Sequence, residues 1–275
     1  MHTKTVKSKR GAFTGQSTAQ TEPQELKRDL RSVLLIGSAI VITGIGVVCA
    51  LVSLLFDRSA YLCHSVVARF WARILLRVCG VRVDVEGRDN FDPNRPYVFM
   101  SNHQSHFDIC VILGYLPAQI RFIAKKELYK IPVFGLTLRA VGHVRVDRDD
   151  RQQAFASYDR ATEQIRNGTS IFVFAEGTRS ADGTVRPFKK GGFVLAIKAG
   201  VPVVPITISG GRKLLPKQKL VFRKGVMKMV IGKPIDTGSY QLENKEELIE
   251  HVRHVIISNL KEEEVDVLNR AIWGK

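Results

Sequence analysis

The run Ser101-Asn102-His103-Gln104-Ser105-His106-Phe107-Asp108 holds the side chains needed for short-range proton transfer. An imidazole takes and returns a proton near neutral pH. A carboxylate a few residues away can hold one ring nitrogen, fix the tautomer and leave the other nitrogen free to deprotonate a hydroxyl. The same residues admit other readings. His103 and His106 with Asp108 could begin a metal site, although no further His, Cys or Asp cluster completes it. A histidine in a turn can also do no more than hydrogen-bond its neighbours.

A second chemical stretch is Phe174-Ala175-Glu176-Gly177-Thr178-Arg179-Ser180. Gly177 lets backbone approach a ligand, Thr178 offers a hydroxyl, and Arg179 offers a planar fork of donors suited to phosphate. Further cations stand at Lys125-Lys126, Arg145 with Arg148, and Arg186 through Lys189-Lys190. A single basic residue is ordinarily a solvated charge. Gathered at strand ends, these make a phosphate-binding surface.

The elements that must position these residues are read from periodicity. Strands are predicted at Val81–Glu86, Tyr97–Ser101, Arg121–Ala124, Ser170–Phe174, Val203–Ser209 and Met227–Ile231. Several are continuously apolar, as suits strands covered on both faces. Helices are predicted at Gln152–Arg166, stopped by Asn167-Gly168, and at Lys245–Leu260, opened by an Asn244/Glu247 capping box. The alternation implies an α/β domain over residues 80–275, with a mixed, largely parallel sheet flanked by helices. Both chemical stretches directly follow apolar strands, where α/β proteins build their sites.

Residues 1–24 read as a flexible basic tail and 25–79 as membrane-anchoring helices. Ser32 to Phe56 contains no charge. As a helix it is roughly 36 Å long at about 1.5 Å per residue, enough to cross a hydrocarbon core. Arg69, Arg73 and Arg77 then recur on one face of a second helix, beside Phe70, Trp71 and Ile74, as expected of a helix in the headgroup layer. Cations on both sides of the apolar run favour a hairpin, bending near Gly44 and Gly46, over a simple crossing. The net charge of +16 points to anionic lipid or nucleic acid. No nucleic-acid motif appears. The four cysteines, with no CxxC pair, form neither a zinc framework nor a disulfide scaffold.

The sequence resembles the glycerolipid acyltransferase family, and within it the bacterial branch acting on 1-acyl-glycerol 3-phosphate. The resemblance rests on four blocks in order: Asn102-His103 with Asp108; Lys126-Glu127-Leu128, Pro132, Gly135, Gly142 and Arg148; Glu176-Gly177-Thr178-Arg179-Ser180 with Phe188-Lys189-Lys190-Gly191; and Val201-Pro202-Val203-Val204-Pro205-Ile206. The third block ordinarily opens with proline, and Ala175 stands there.

The resemblance implies the glycerolipid acyltransferase fold with an N-terminal helical anchor. It implies His103 as general base and Asp108 as its orienting partner. Asn102, Lys125, Lys126, Arg148 and Arg179 are expected to bind substrate. Glu176, Gly177, Thr178 and Lys189 are likewise expected to bind substrate, Glu176 and Gly177 by shaping the pocket. Lysophosphatidic acid is the implied acceptor, with an acyl-CoA or acyl-carrier protein as co-substrate and no cofactor or metal. The implied location is a bacterial inner membrane, with the active domain cytoplasmic. Glycerol 3-phosphate or another lysolipid is the alternative acceptor, and a non-catalytic basic membrane-binding protein the alternative class.

Overall fold

The computed structural model describes residues 22–147, 150–217 and 221–260. Its strands are β1 (Val81–Glu86), β2 (Val98–Ser101), β3 (Ile120–Lys125), β4 (Val144–Val146), β5 (Ser170–Phe174), β6 (Val203–Ser209) and β7 (Gly225–Ile231). They form one seven-stranded sheet in the order β1-β7-β6-β2-β5-β3-β4. Only β6 and β7 run antiparallel, so the sheet is mixed and largely parallel. β4 was not foreseen. Its three residues, Val144-Arg145-Val146, are too short to register as a run.

Successive side chains of a strand point to opposite faces, and both faces here are covered. Phe99 and Phe172 enter one core, with Ile112 of α3 (Phe107–Tyr115) and Leu76 of the preceding helical segment. Val98, Met100 and Ile171 enter the other, with Ile165 of α5 (Arg151–Arg166), Phe193 of α6 (Gly191–Ala199) and Val252 of α8 (Lys245–Ser258). Two short helices, α4 (Phe134–Ala140) and α7 (Gly211–Leu214), complete the domain. At α8 the predicted capping box does not form. The Asn244 side-chain oxygen accepts from Gln241 N–H at 2.6 Å and is spent on the preceding turn.

The N-terminal helix α1 runs unbroken from Glu22 to Phe56, beginning ahead of the expected boundary at residue 25; residues 1–21 lie outside the described residues. Leu30–Phe56 is long and apolar enough to span a membrane, and only 6% of its most apolar window is buried. Its side chains therefore lack the protein partners that a core helix would have.

The expected bend near Gly44 and Gly46 is corrected. The helix passes straight through both, and a Cβ on Gly46 would lie 2.7 Å from Trp71 Cδ1, so this glycine serves close packing. The reversal falls after Phe56. Asp57 there accepts from Ser59 N–H at 2.9 Å and Leu62 N–H at 2.8 Å, and Ala60 takes φ +59°.

A π-helical turn, Cys63–Ala68, then leads into α2 (Arg69–Val78), which returns against α1, with Trp71 Nε1–H donating to Thr43 Oγ1 at 3.3 Å. Two arginines of the α2 stripe bind protein. Arg69 and Arg73 donate to the carbonyls of Leu116 at 3.1 Å and Gly114 at 2.8 Å, closing the C-terminal end of α3 where carbonyls lack helical partners.

Candidate active site

The parallel pairing of β2 with β5, which sets Ser101 opposite Phe174, brings the two chemical stretches together. Both strands end at the same edge, so the loops after them run side by side. Ala175 N–H donates to Ser101 O at 2.9 Å, and Ser180 N–H donates to His103 O at 2.8 Å. Glu176 buckles the loops: Oε1 accepts from His103 N–H at 2.7 Å and Oε2 from Arg186 N–H at 2.9 Å. With both oxygens engaged and the residue buried, Glu176 braces the two loops from outside the groove lining. Burial pushes its carboxyl up to about 7, against the opposing pull of those two amides and of the Arg186 charge.

His103 Nδ1 lies 2.8 Å from Asp108 Oδ2. That oxygen also takes the N–H groups of Gln104 at 2.7 Å and Ser105 at 2.8 Å, so it is an acceptor and the ring nitrogen is the donor. Nε2 is then the nitrogen left with a lone pair. Asp108 occupies the first turn of α3, where the N-terminal end of the helix favours an anion. It is almost fully enclosed, 1% exposed against 13% for the His103 side chain. The imidazole reaches the groove and the carboxylate stays behind it.

The imidazole stacks on Phe174, with centroids 3.8 Å apart. Phe174 escaped the sequence reading because an aromatic ending an apolar strand is ordinarily core. Its position, two residues before Glu176, was the available signal.

His103 opens onto a groove of about 440 Å³ lined mainly by apolar side chains. Gly177, Thr178, Arg179 and Lys125 line it near the histidine end, and Phe122, Phe134 and Leu138 line its flank. Its far wall belongs to the N-terminal helices, through Gly46, Val47 and Ala50 of α1 and His64 and Trp71 on the return. His64 is 6% exposed, and burial first, then the Arg121 charge, pushes it down to about 2. It is neutral at any ordinary pH.

Three of the residues expected to bind substrate stand outside the groove lining. Asn102 is fully buried; its amide donates to Ile208 O at 2.8 Å and accepts from Ile208 N–H at 2.9 Å, clamping the end of β2 to β6. Lys126 sits with Nζ 2.7 Å from Asp147 Oδ1, tying the ends of β3 and β4, and lies outside the groove lining that includes Lys125. Lys189 also stands outside that lining, its methylenes lying over Gly177, where a Cβ would meet Lys189 Cγ at 3.3 Å. Gly177 takes φ +71°, which glycine adopts without strain. Arg148 lies outside the described residues.

A histidine–carboxylate pair stands at an apolar groove on this sheet, and the chain belongs to the acyltransferase family, whose model, described as "Acyltransferase", matches residues 82–209. Among curated relatives, the chain is 38% identical to the chloroplastic 1-acyl-sn-glycerol-3-phosphate acyltransferase BAT2 of Brassica napus over 82% of this chain and 67% of that protein. It is 32% identical to the 1-acyl-sn-glycerol-3-phosphate acyltransferase of Saccharomyces cerevisiae, over 85% of this chain and 77% of that one. Among solved structures, the 1-acyl-sn-glycerophosphate (LPA) acyltransferase PlsC of Thermotoga maritima superposes with a TM-score of 0.72 at 32% identity, covering 83% of this chain and 94% of that one.

Proposed function

We propose that the protein transfers a fatty acyl group from an acyl thioester to the free sn-2 hydroxyl of lysophosphatidic acid, giving phosphatidic acid. The observation that carries this reading is the 2.8 Å bond between His103 Nδ1 and Asp108 Oδ2 at the rim of the apolar groove. The acceptor hydroxyl gives its proton to Nε2 as its oxygen attacks the thioester carbonyl. Collapse of the tetrahedral adduct breaks the carbon–sulfur bond, and the imidazolium returns the proton to the leaving thiolate. Ester and thiol are the products, and no residue of the chain is acylated.

Arg179 and Lys125 hold the acceptor's phosphate and so aim its hydroxyl at His103, with Arg148 assigned the same role. The groove takes the acyl chain. Moving a chain from bilayer to water costs about 0.8 kcal/mol per CH₂, and a groove walled by a membrane helix avoids that cost. The thioester is that of coenzyme A or an acyl-carrier protein, and the chemistry needs no bound cofactor. The same reading puts the enzyme at a bacterial inner membrane with its α/β domain cytoplasmic, where its surplus of lysine and arginine meets anionic headgroups.

The test is acyl transfer by detergent-purified protein to lysophosphatidic acid and to glycerol 3-phosphate, beside His103→Ala. Phosphatidic acid formed by the wild type and lost in the variant supports both reaction and base. Transfer to glycerol 3-phosphate alone reassigns the acceptor, and full activity in the variant removes the mechanism.

A further inference from the structure

We propose that the segment from Leu128 to Leu136 is a second membrane contact, separate from α1, which dips into the lipid monolayer and forms the lip over which the lipid acceptor enters the groove. The inference rests on the acyltransferase reading above. Ile131, Val133 and Leu136 are 48%, 54% and 57% exposed, and Leu128 joins them at 39%. A lone exposed aliphatic residue needs no explanation, but four within nine positions form a patch that water does not favour.

The segment is two-faced. Within it Leu128 and Phe134 line the groove, whereas Ile131, Val133 and Leu136 stand outside that lining. It is also firmly held. The Tyr129 hydroxyl donates to His143 O at 2.8 Å, Gly135 N–H donates to Ile131 O at 2.8 Å, and Gly135 packs so tightly on the Tyr129 backbone that a Cβ there would overlap it. Val133, a β-branched residue, takes φ +61° in a three-residue turn closed by Phe134 N–H to Pro132 O at 2.6 Å. That conformation is strained, and the valine that adopts it is exposed.

Two observations select a lipid monolayer as occupant. α4, which contains Leu136, packs against α1, whose apolar side chains are themselves bare, so the patch continues the surface already assigned to membrane. Exposed Lys130 and Arg139 flank the patch, complementing anionic headgroups above an apolar layer.

The experiment uses the full chain with Cys49→Ser, whose remaining cysteines are buried. Ile131→Cys, Leu136→Cys and, on the opposite sheet edge, Arg82→Cys are labelled with an environment-sensitive dye. The probe membrane is a vesicle of phosphatidylcholine and phosphatidylglycerol carrying nitroxides on the acyl chains. Expected is severalfold stronger quenching by these nitroxides than by aqueous iodide at positions 131 and 136, and the reverse at 82. Alongside, Ile131→Ser/Leu136→Ser should raise KM about tenfold for a long-chain lysophosphatidate held in vesicles, while activity on a water-soluble short-chain one stays within twofold. Iodide quenching at 131 and 136 in vesicles that still make phosphatidic acid overturns the lip and leaves the reaction standing. Burial of both labels through cross-linking to a second copy, without nitroxide quenching, overturns it in favour of a dimer. Nitroxide quenching in vesicles where no acyl transfer occurs upholds the membrane contact and removes the reaction.

Discussion

The ring of His103 lies nearly parallel to that of Phe174, the planes 14° apart and the centroids separated by 3.8 Å. Asp108 fixes one point of the imidazole, but a single hydrogen bond leaves the ring free to swing about that axis. The phenyl face removes this freedom and aims Nε2 into the groove. Phe174→Leu keeps the hydrogen bond and loses the flat support. Its kcat should fall about tenfold, the penalty of a loosely oriented base, with KM for both substrates little changed. Steady-state kinetics on the two variables separates this from a binding defect.

Asp108→Asn tests the carboxylate more severely. One asparagine oxygen can replace Oδ2 toward the Gln104 and Ser105 amides, yet the amide also brings an N–H₂ into a site built to accept. The imidazole then loses its orienting partner or turns over. Activity should drop by about 10³-fold or more while circular dichroism stays unchanged.

Arg179→Ala and Lys125→Ala should each raise KM for the phosphorylated acceptor about tenfold. Neither should alter transfer to a monoacylglycerol, which has no phosphate to hold. Equal losses on both acceptors would take the phosphate role away from these cations.

Glu176 gives stability a pH dependence of defined sign. Its carboxyl is raised in the fold from 4.5 to about 7, so between those values the native state binds more protons than the unfolded chain. Stability from this group is fully present below about pH 4.5 and declines as pH rises to 7, by at most about 3 kcal/mol. Urea unfolding in detergent across pH 5 to 8 should show that decline in the wild type. Glu176→Gln should be less stable at acid pH and lack the slope.

Asn102→Ala should leave the chemistry aligned but weaken the sheet, because it strands both the N–H and the C=O of Ile208 in a dry interior. A cost of about 3 kcal/mol is expected, read as a fall in melting temperature with kcat near normal at low temperature.

What the sequence made legible follows from range. β1, β5 and β6 match their predicted bounds because strict alternation in β1 and apolar runs in β5 and β6 are local signals. The His103–Asp108 spacing is equally local: both side chains belong to one loop and the first turn of one helix. Asn102 is next in sequence to His103, but the partner its amide bonds, Ile208, is 106 residues away, which no local pattern reveals. Gly46 misled because glycine weakens an isolated helix, and nothing local reveals the Trp71 ring packed over it. That Arg69 and Arg73 of α2 bond the carbonyls of Leu116 and Gly114 is equally hidden from local sequence, because those partners are 47 and 41 residues away.

If the groove takes the acyl chain as proposed, its wall of Gly46, Val47 and Ala50 makes anchorage and selectivity inseparable. A chain cut after Phe56 to gain solubility would not be the same catalyst set free in water. One side of its acyl compartment would stand open, and thioesters of every length would fit it about equally poorly. Swapping this helix between relatives would carry chain preference along with the attachment.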